Sequence, residues 1–130
     1  MSHFSTIKTK IKKKPQLIEA LELLQYNVVE DQELRVTGSH GIKHETVVAE
    51  LAIAKDIGFR LNPMKNEYEL VADLETWNQP IPVERFIDKV TQQYARMTVH
   101  NQVKKMGFQV EEEWEMDDNS IELVVTRWRD

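Results

Sequence analysis

The chain has 130 residues, of which 41% are hydrophobic and 30% are charged, and its formal net charge is -5. That length fits one domain spanning 1–130 and suffices to bury a core without disulfides or metals. The chain has no cysteine, which excludes disulfides, thiol catalysis and cysteine-ligated metal centres. No apolar run approaches the roughly 20 residues of a membrane span, and there is no apolar signal core, so we expect a soluble, non-exported protein without membrane partners.

Charge is distributed unevenly along the chain. The early segment is basic through Lys8, Lys10, Lys12, Lys13 and Lys14. The late segment is acidic through Glu111, Glu112, Glu113, Glu115, Asp117 and Asp118. The lysines lack an accompanying aromatic stacking pair, so we favour the solvated face of an edge strand over an RNA-binding strip. The net negative charge also makes nucleic acid an unfavoured partner.

The first half of the chain predicts a strand, a short helix and four further strands. Phe4–Ile11 alternates between apolar and polar residues, as a half-buried strand does. Pro15 suits the first position of a helix, and the apolar spacing that follows extends this helix to Gln25. The further strands are Val28–Val36 with an irregularity at Asp31-Gln32, Thr46–Ile53, Gly58–Leu61 and Tyr68–Ala72, with a turn at Gly38–Gly41.

The second half predicts the longest helix and a terminal hairpin. After a turn at Trp77–Pro82, apolar residues step by four and three along Val83–Met106, and Gly107 provides the helix stop. Strands Phe108–Trp114 and Ile121–Trp128 follow, joined by the polar turn Asp117–Ser120. Two faces alternate along the last strand: Ile121, Leu123, Val125 and Arg127 on one, and Glu122, Val124, Thr126 and Trp128 on the other.

The order of the predicted elements is β-α-β-β-β-β-α-β-β. Strands at this spacing favour an antiparallel meander, and two amphipathic helices can both cover one face of such a sheet. We therefore predict an α+β fold in which an antiparallel sheet carries two helices on one face, ferredoxin-like with an extra hairpin.

Several segments together resemble a known family. They are Met1–Thr9, Asp56–Phe59, Tyr68–Leu74, Trp77–Val83 and Ser120–Trp128. Their combination is similar to the hypothetical chloroplast reading frame thirty-five family, which has cyanobacterial and red-algal plastid members and is also catalogued as a domain of unknown function. The resemblance covers essentially the whole chain.

The resemblance implies a soluble protein of photosynthetic cells, located in the cyanobacterial cytoplasm or the chloroplast stroma. It carries over no activity, no catalytic residue and no cofactor. Relatives are often encoded near ATPases of the AAA class, so the resemblance implies an accessory role with such an ATPase as the candidate partner.

Candidate catalytic or metal-binding residues are few. His40 and His44 have a spacing that can bind metal on a helix, but they flank a predicted turn, so we interpret them as exposed loop histidines. Asp56, Asp73 and Glu75 lie near strand ends, where paired carboxylates could perform acid–base chemistry. Because nothing in the sequence shows that these carboxylates converge, we favour solvated turn acids.

Three tryptophans are the sharpest candidates for binding. Tryptophan is enriched at interface hot spots, and it is also the largest core residue. Trp77 lies between a strand and the long helix, where it would seal the end of the core, while Trp114 and Trp128 lie in the terminal hairpin. We favour a structural role for each, and retain a set of candidate interaction residues: Trp77, Gln79, Arg85, Trp114 and Trp128.

The leading hypothesis is a non-enzymatic accessory or adaptor protein that acts through protein–protein contacts, with an AAA-class ATPase as candidate partner and a homodimer as a further arrangement. The alternative is a small-ligand sensor, which rests on analogy with ligand-binding ferredoxin-like sheets. An enzyme would require Asp56, Asp73, His40 or His44 to converge in one pocket. RNA binding is the least favoured hypothesis because of the net charge.

Overall fold

The computed structural model describes residues 4–37, 44–118 and 120–128, with side chains for all of these except 36, 37, 44 and 45. The strands are β1 (Ser5–Lys8), β2 (Val29–Thr37), β3 (His44–Ala54), β4 (Ile57–Asn62), β5 (Glu67–Ala72), β6 (Phe108–Glu115) and β7 (Ile121–Arg127). The helices are α1 (Lys14–Leu23) and α2 (Val83–Lys105). Their order along the chain confirms the predicted succession of strands and helices.

Five strands form one antiparallel sheet in the order β1-β5-β4-β3-β2, so β1 and β2 are its edges. The strands from β2 to β5 form a meander, whereas β1 joins from the start of the chain, with Ser5 opposite Ala72. β1 ends before the predicted Ile11 because the Thr9 hydroxyl leaves the ladder pattern, donating to the Tyr68 carbonyl and accepting from the Ile11 N–H. The predicted α+β class with an antiparallel sheet is confirmed.

Both helices pack on one face of this sheet. α1 buries Leu17 and Leu21, and α2 buries Phe86 and Val90. A spacing of four residues places each pair on one side of its helix, which explains why each helix presents an apolar stripe to the strands. Phe86 lies in an aromatic group, with ring centroids 5.3, 6.4 and 5.4 Å from those of Tyr26, Phe59 and Trp77.

The opposite face of the sheet is covered by the ends of its own long strands. β3 pairs with β4 only from Leu51 onward, and the carboxylate of Glu50 accepts the backbone N–H of Leu61 at 2.8 Å. Where the two strands separate, Leu34 and Ala49 pack over Gly58. The β2–β3 hairpin therefore bends over the second face and builds a small core of its own.

The terminal hairpin of β6 and β7 forms a separate two-stranded sheet. Its main packing is against α2, which links it to the rest of the molecule. Among the described residues from 91 to 128, no residue is fully buried. The buried core thus ends at Val90, and the C-terminal half of α2 and the hairpin form a thin, partly covered layer.

Neither helix in the described residues combines the length and the apolar character that a membrane span requires.

Candidate interaction site

A bulge in β6 determines which hairpin residues face α2. Val110 lies opposite Val125, but Glu112 rather than Glu111 lies opposite Val124. Glu111 is therefore an extra residue, and its carboxylate accepts a hydrogen bond from the Thr126 hydroxyl at 2.9 Å. Since side chains alternate along a strand, one extra residue exchanges the faces of all the residues that follow it.

This reversal of the two faces of β6 turns Trp114 away from α2. Trp114 lies opposite Glu122 and is 42% exposed, and Trp128 at the end of the same face is 55% exposed. We call this surface the hairpin outer face; it comprises Glu111, Glu112, Trp114, Glu122, Val124 and Trp128. It combines large apolar side chains with carboxylates, and all six of its residues are exposed.

The same exchange turns Glu113 toward α2, where it meets two basic side chains. The Arg96 guanidinium donates to both carboxylate oxygens, through Nε to Oε1 and through Nη2 to Oε2 at 3.3 Å. His100 Nε2 lies 2.7 Å from Oε2. Hydrogen bonding from Arg96, opposed by partial burial and supported by His100, holds the pKa of Glu113 below its usual value. Glu113 therefore stays ionised and ties the hairpin to the helix.

An apolar groove runs between α2 and β7. Its walls are Ala95 and Val99 on the helix and Ile121 and Leu123 on the strand, and its volume is about 240 Å³. Val99 is 44% exposed, although it belongs to the apolar stripe of the helix. We call this the α2–β7 groove; it exists because the inward residues of β7 do not fully cover the helix.

Trp77 has the geometry of a structural residue. Its indole Nε1–H donates to the Ile81 carbonyl at 2.8 Å, and its ring meets the ring of Phe86 edge-on. It is partly buried where β5 leads into α2. A bonded indole on the core side closes the end of the core, which is the role that the sequence favoured.

The other two predicted surface residues lie away from the hairpin outer face. Gln79 is partly buried beside Asn78 in the segment before α2. Arg85 is exposed in the first turn of α2 and borders a polar cleft of about 360 Å³ that Glu115 also lines. The five predicted residues thus fall into two separate regions, with Trp114 and Trp128 together on one strand pair.

The candidate catalytic residues form no metal-binding cluster within the described ranges 4–37, 44–118 and 120–128. Asp73 is 1% exposed and is not the solvated turn acid that we expected, because its Oδ1 accepts the Glu75 N–H at 2.9 Å inside the turn after β5. Asp56 accepts a hydrogen bond from the Thr76 hydroxyl at 3.2 Å. His40 and the predicted turn Gly38–Gly41 lie outside the described residues, and the side chain of His44 is not described.

Sequence reasoning missed the link between α2 and the hairpin. Arg96 lies on the long helix, and its acidic partner is Glu113 on β6. Plain alternation from Phe108 would place Glu113 on the far face of β6, so the ion pair could not be foreseen without the bulge. The available signal was the run of acids following Val110, which alternation alone does not explain.

Comparison with known proteins supports the resemblance seen in the sequence. A family model described as "Protein of unknown function (DUF1257)" matches residues 20–124. Three relatives are each named "Uncharacterized protein ycf35", the abbreviation of the reading-frame family. Those of Guillardia theta (37% over 134 residues) and Cyanophora paradoxa (35% over 132 residues) align over 99% of both chains, and that of Pyropia yezoensis (35% over 129 residues) over 98%. The resemblance is confirmed, and no solved structure matches the chain.

Proposed function

The chain belongs to the DUF1257 family, which includes the ycf35 proteins, and we propose that it is a non-enzymatic adaptor that binds a partner protein through the hairpin and the adjoining half of α2. The family name assigns no activity. Support for the proposal therefore comes from the chemistry of the exposed surface.

The concentration of exposed apolar side chains supports this proposal most directly. In the described residues, eleven large hydrophobic side chains are exposed, and six of them lie between residues 99 and 128. These six are Val99, Met106, Trp114, Met116, Val124 and Trp128. Three of them, Trp114, Val124 and Trp128, share the hairpin outer face with carboxylates, and tryptophan is prominent among hot-spot residues at protein interfaces.

The weak burial of the hairpin supports the same proposal. A two-stranded hairpin is marginally stable alone, and this one rests on α2 without contributing a fully buried side chain in the described residues. Covering its outer face would remove apolar surface from water and stabilise the hairpin at the same time. Weak burial of this kind is what we expect of a hairpin that a partner protein covers.

The finer identity of the partner is part of the proposal. The resemblance suggests an AAA-class ATPase, and the place of action would be the cyanobacterial cytoplasm or the chloroplast stroma. Arg85 and Gln79 would then extend the contact toward the start of α2. A small-ligand sensor ranks second. The α2–β7 groove, at about 240 Å³, is smaller than most drug-sized ligand sites, and the cleft of about 360 Å³ beside Arg85 is lined mainly by charged and amide side chains, whereas ligand pockets are mostly apolar.

The test compares a hairpin variant with a matched surface control. The double variant Trp114→Ala/Trp128→Ala removes both aromatic rings, while Met64→Ala removes an apolar side chain that is 94% exposed in the β4–β5 turn. A partner captured in stoichiometric amount from a photosynthetic cell would be purified, and its affinity for each variant measured by calorimetry. We expect the double variant to bind about thirtyfold or more weakly and Met64→Ala to bind normally.

Two results would overturn the proposal. One is capture that recovers no stoichiometric partner with the unmodified chain. The other is a purified partner that binds the double variant as tightly as the unmodified chain, provided that circular dichroism shows both to be folded.

A further inference from the structure

One strand edge of the hairpin is open to an added strand. In the described residues β6 and β7 pair only with each other. The Met116 N–H donates to the Ser120 carbonyl and the Trp128 N–H donates to the Gly107 carbonyl, each at 2.8 Å. In an antiparallel pair every second residue forms backbone hydrogen bonds with the neighbouring strand, so these two bonds show which residues of β7 do so. The even-numbered residues of β7 therefore face β6. The backbone groups that face the open edge belong to Ile121, Leu123, Val125 and Arg127.

β7 also lacks the features that protect the other edges. β1 is four residues long and exposes Lys8, and β2 is interrupted by Asp31, whose φ is 53°. The outer edge of β6 carries the bulge at Glu111. β7 continues for seven residues without lysine, proline or a bulge of its own. Among these edges it is the one that can best accept another strand.

The α2–β7 groove lies on the side of the open edge. No β6 residue lines it, and its walls come from α2 and from Ile121 and Leu123 of β7. A strand added next to β7 would extend the small sheet over Val99 of the helix. Its inward side chains would enter the groove, which is lined mainly by apolar side chains and so favours apolar ones.

The charge of the hairpin determines the chemistry of the added strand. Residues 108–128 contain seven acids and one base, Arg127. Pairing two copies of this chain through β7 would bring two such acidic hairpins together, which is unfavourable. A strand with lysine or arginine on its outward side would instead lie beside Glu122 of β7, with Glu112 one strand further away on β6. Charge complementarity therefore favours a basic partner segment over a second copy.

We propose that the open edge of β7 receives an extended segment of the partner protein in which basic residues alternate with apolar ones. This inference rests on the proposed adaptor function and specifies how the partner binds. The backbone of the segment pairs with β7, its apolar side chains fill the α2–β7 groove, and its basic side chains meet Glu122 on the hairpin outer face.

Amide exchange followed by NMR tests the proposal residue by residue. The probe is a synthetic peptide of about eight residues that alternates lysine and valine, compared with a glutamate–valine peptide. In the free protein, we expect the amides of Ile121, Leu123, Val125 and Arg127 to exchange faster than the even-numbered amides of β7. The lysine peptide should slow their exchange at least about tenfold, and the glutamate peptide should not.

Two variants sharpen the test. Glu122→Lys reverses a charge on the outer face and should weaken binding of the lysine peptide about fivefold, whereas Glu19→Lys on exposed α1 surface should not. Val125→Pro removes one N–H from the open edge while leaving the groups that bond β6, and should abolish protection. If Val125→Pro fails to fold, Glu122→Lys still decides the question.

The outcomes separate this inference from the adaptor proposal. A purified partner that needs Trp114 and Trp128 but leaves the edge amides exchanging freely would overturn strand addition and keep the adaptor. Protection by the lysine peptide without any captured partner would keep β7 as an edge that accepts a basic strand and would overturn the adaptor function. A concentration-dependent dimer that protects the same amides would overturn the basic partner in favour of a second copy.

Discussion

Gly58 lies where the bent β2–β3 hairpin crosses the sheet, and the space there admits no side chain. A Cβ at this position would lie 2.6 Å from the Leu51 carbonyl oxygen and 3.1 Å from atoms of both Ala49 and Leu34. The closest of these atoms belongs to the backbone, which cannot move aside without breaking the contact of β3 with β4. Gly58 is thus required by close packing.

We expect Gly58→Ala to destabilise the protein by about 1–3 kcal/mol, because the added methyl group overpacks this crossing. The control is Gly107→Asn. Gly107 has a φ of 86° and open space around it, so asparagine, which tolerates the left-handed region better than other residues with a side chain, should cost less than Gly58→Ala. Urea denaturation measures both. Equal stability of Gly58→Ala and the unmodified chain would contradict the close approach of β2 and β3 to β4 at Gly58.

Asp73 offers a second test at the residue scale. It is 1% exposed, its Oδ1 accepts the Glu75 N–H, and its Oδ2 has no partner among the described residues. An asparagine in its place would keep the acceptor without the charge, so we expect Asp73→Asn to raise stability by about 1 kcal/mol. Asp73→Ala loses the turn bond and should be less stable than Asp73→Asn. A urea midpoint below that of the unmodified chain for Asp73→Asn would show that the carboxylate charge is needed.

At the scale of elements, the ion pair between α2 and β6 makes hairpin stability depend on pH. The folded pKa of Glu113 lies below the ordinary value of 4.5, chiefly because Arg96 donates hydrogen bonds to the carboxylate. Its contribution to stability is therefore fully present above pH 4.5 and is lost as the pH falls through the lower, folded value.

We expect the hairpin amides of Glu113→Gln to exchange faster than those of the unmodified chain near neutral pH, and at nearly the same rate in acid. The measurement is amide exchange of β6 and β7 as a function of pH, after correction for intrinsic exchange rates. Glu112→Gln, on the outer face one residue away, is the matched control and should follow the unmodified chain. If the amides of Glu113→Gln exchanged faster than those of the unmodified chain by the same factor in acid, the ion pair with Arg96 would not be what holds the hairpin on α2.

The elements themselves were predictable, but the faces of the hairpin were only partly so. The faces of β7 follow from strict alternation: the structure places Ile121 and Leu123 on one face, as the sequence predicts, and that face turns toward α2. In β6 the bulge at Glu111 reverses that pattern, so alternation alone could not give the face on which Trp114 lies. A bulge depends on cross-strand register, and a single strand's sequence does not specify register.

The strand order and the bend of the β2–β3 hairpin were also beyond sequence reasoning. Periodicity shows that β1 is half-buried, but only long-range pairing places it beside β5. The bend depends on Glu50 replacing a backbone partner of Leu61, a contact between residues eleven positions apart. Such side-chain-to-backbone bonds leave no periodic pattern in the sequence. Trp77, in contrast, was correctly placed at the end of the core because its neighbours define a strand-to-helix junction.

At the scale of the whole molecule, burial divides the chain unequally. The five-stranded sheet and the two helices share a core that includes Phe59, Leu70 and Phe86, whereas the described residues beyond Val90 contain no fully buried side chain. The hairpin depends on α2, so we predict one domain over 1–130 that unfolds in a single transition. Within that domain, local opening should be much easier in the hairpin.

Hydrogen exchange measured by mass spectrometry can test this gradient. Peptides from β4 and β5 should exchange only on global unfolding, because both strands have neighbours on each side and buried side chains such as Phe59 and Leu70. Peptides from β6 and β7 should exchange at least about a hundredfold faster, since opening the hairpin exposes little buried surface. Adding the purified partner should slow exchange in the hairpin and leave β4 and β5 unchanged. Equal protection of the hairpin and the central strands in the isolated protein would show that the hairpin needs no partner to be stable.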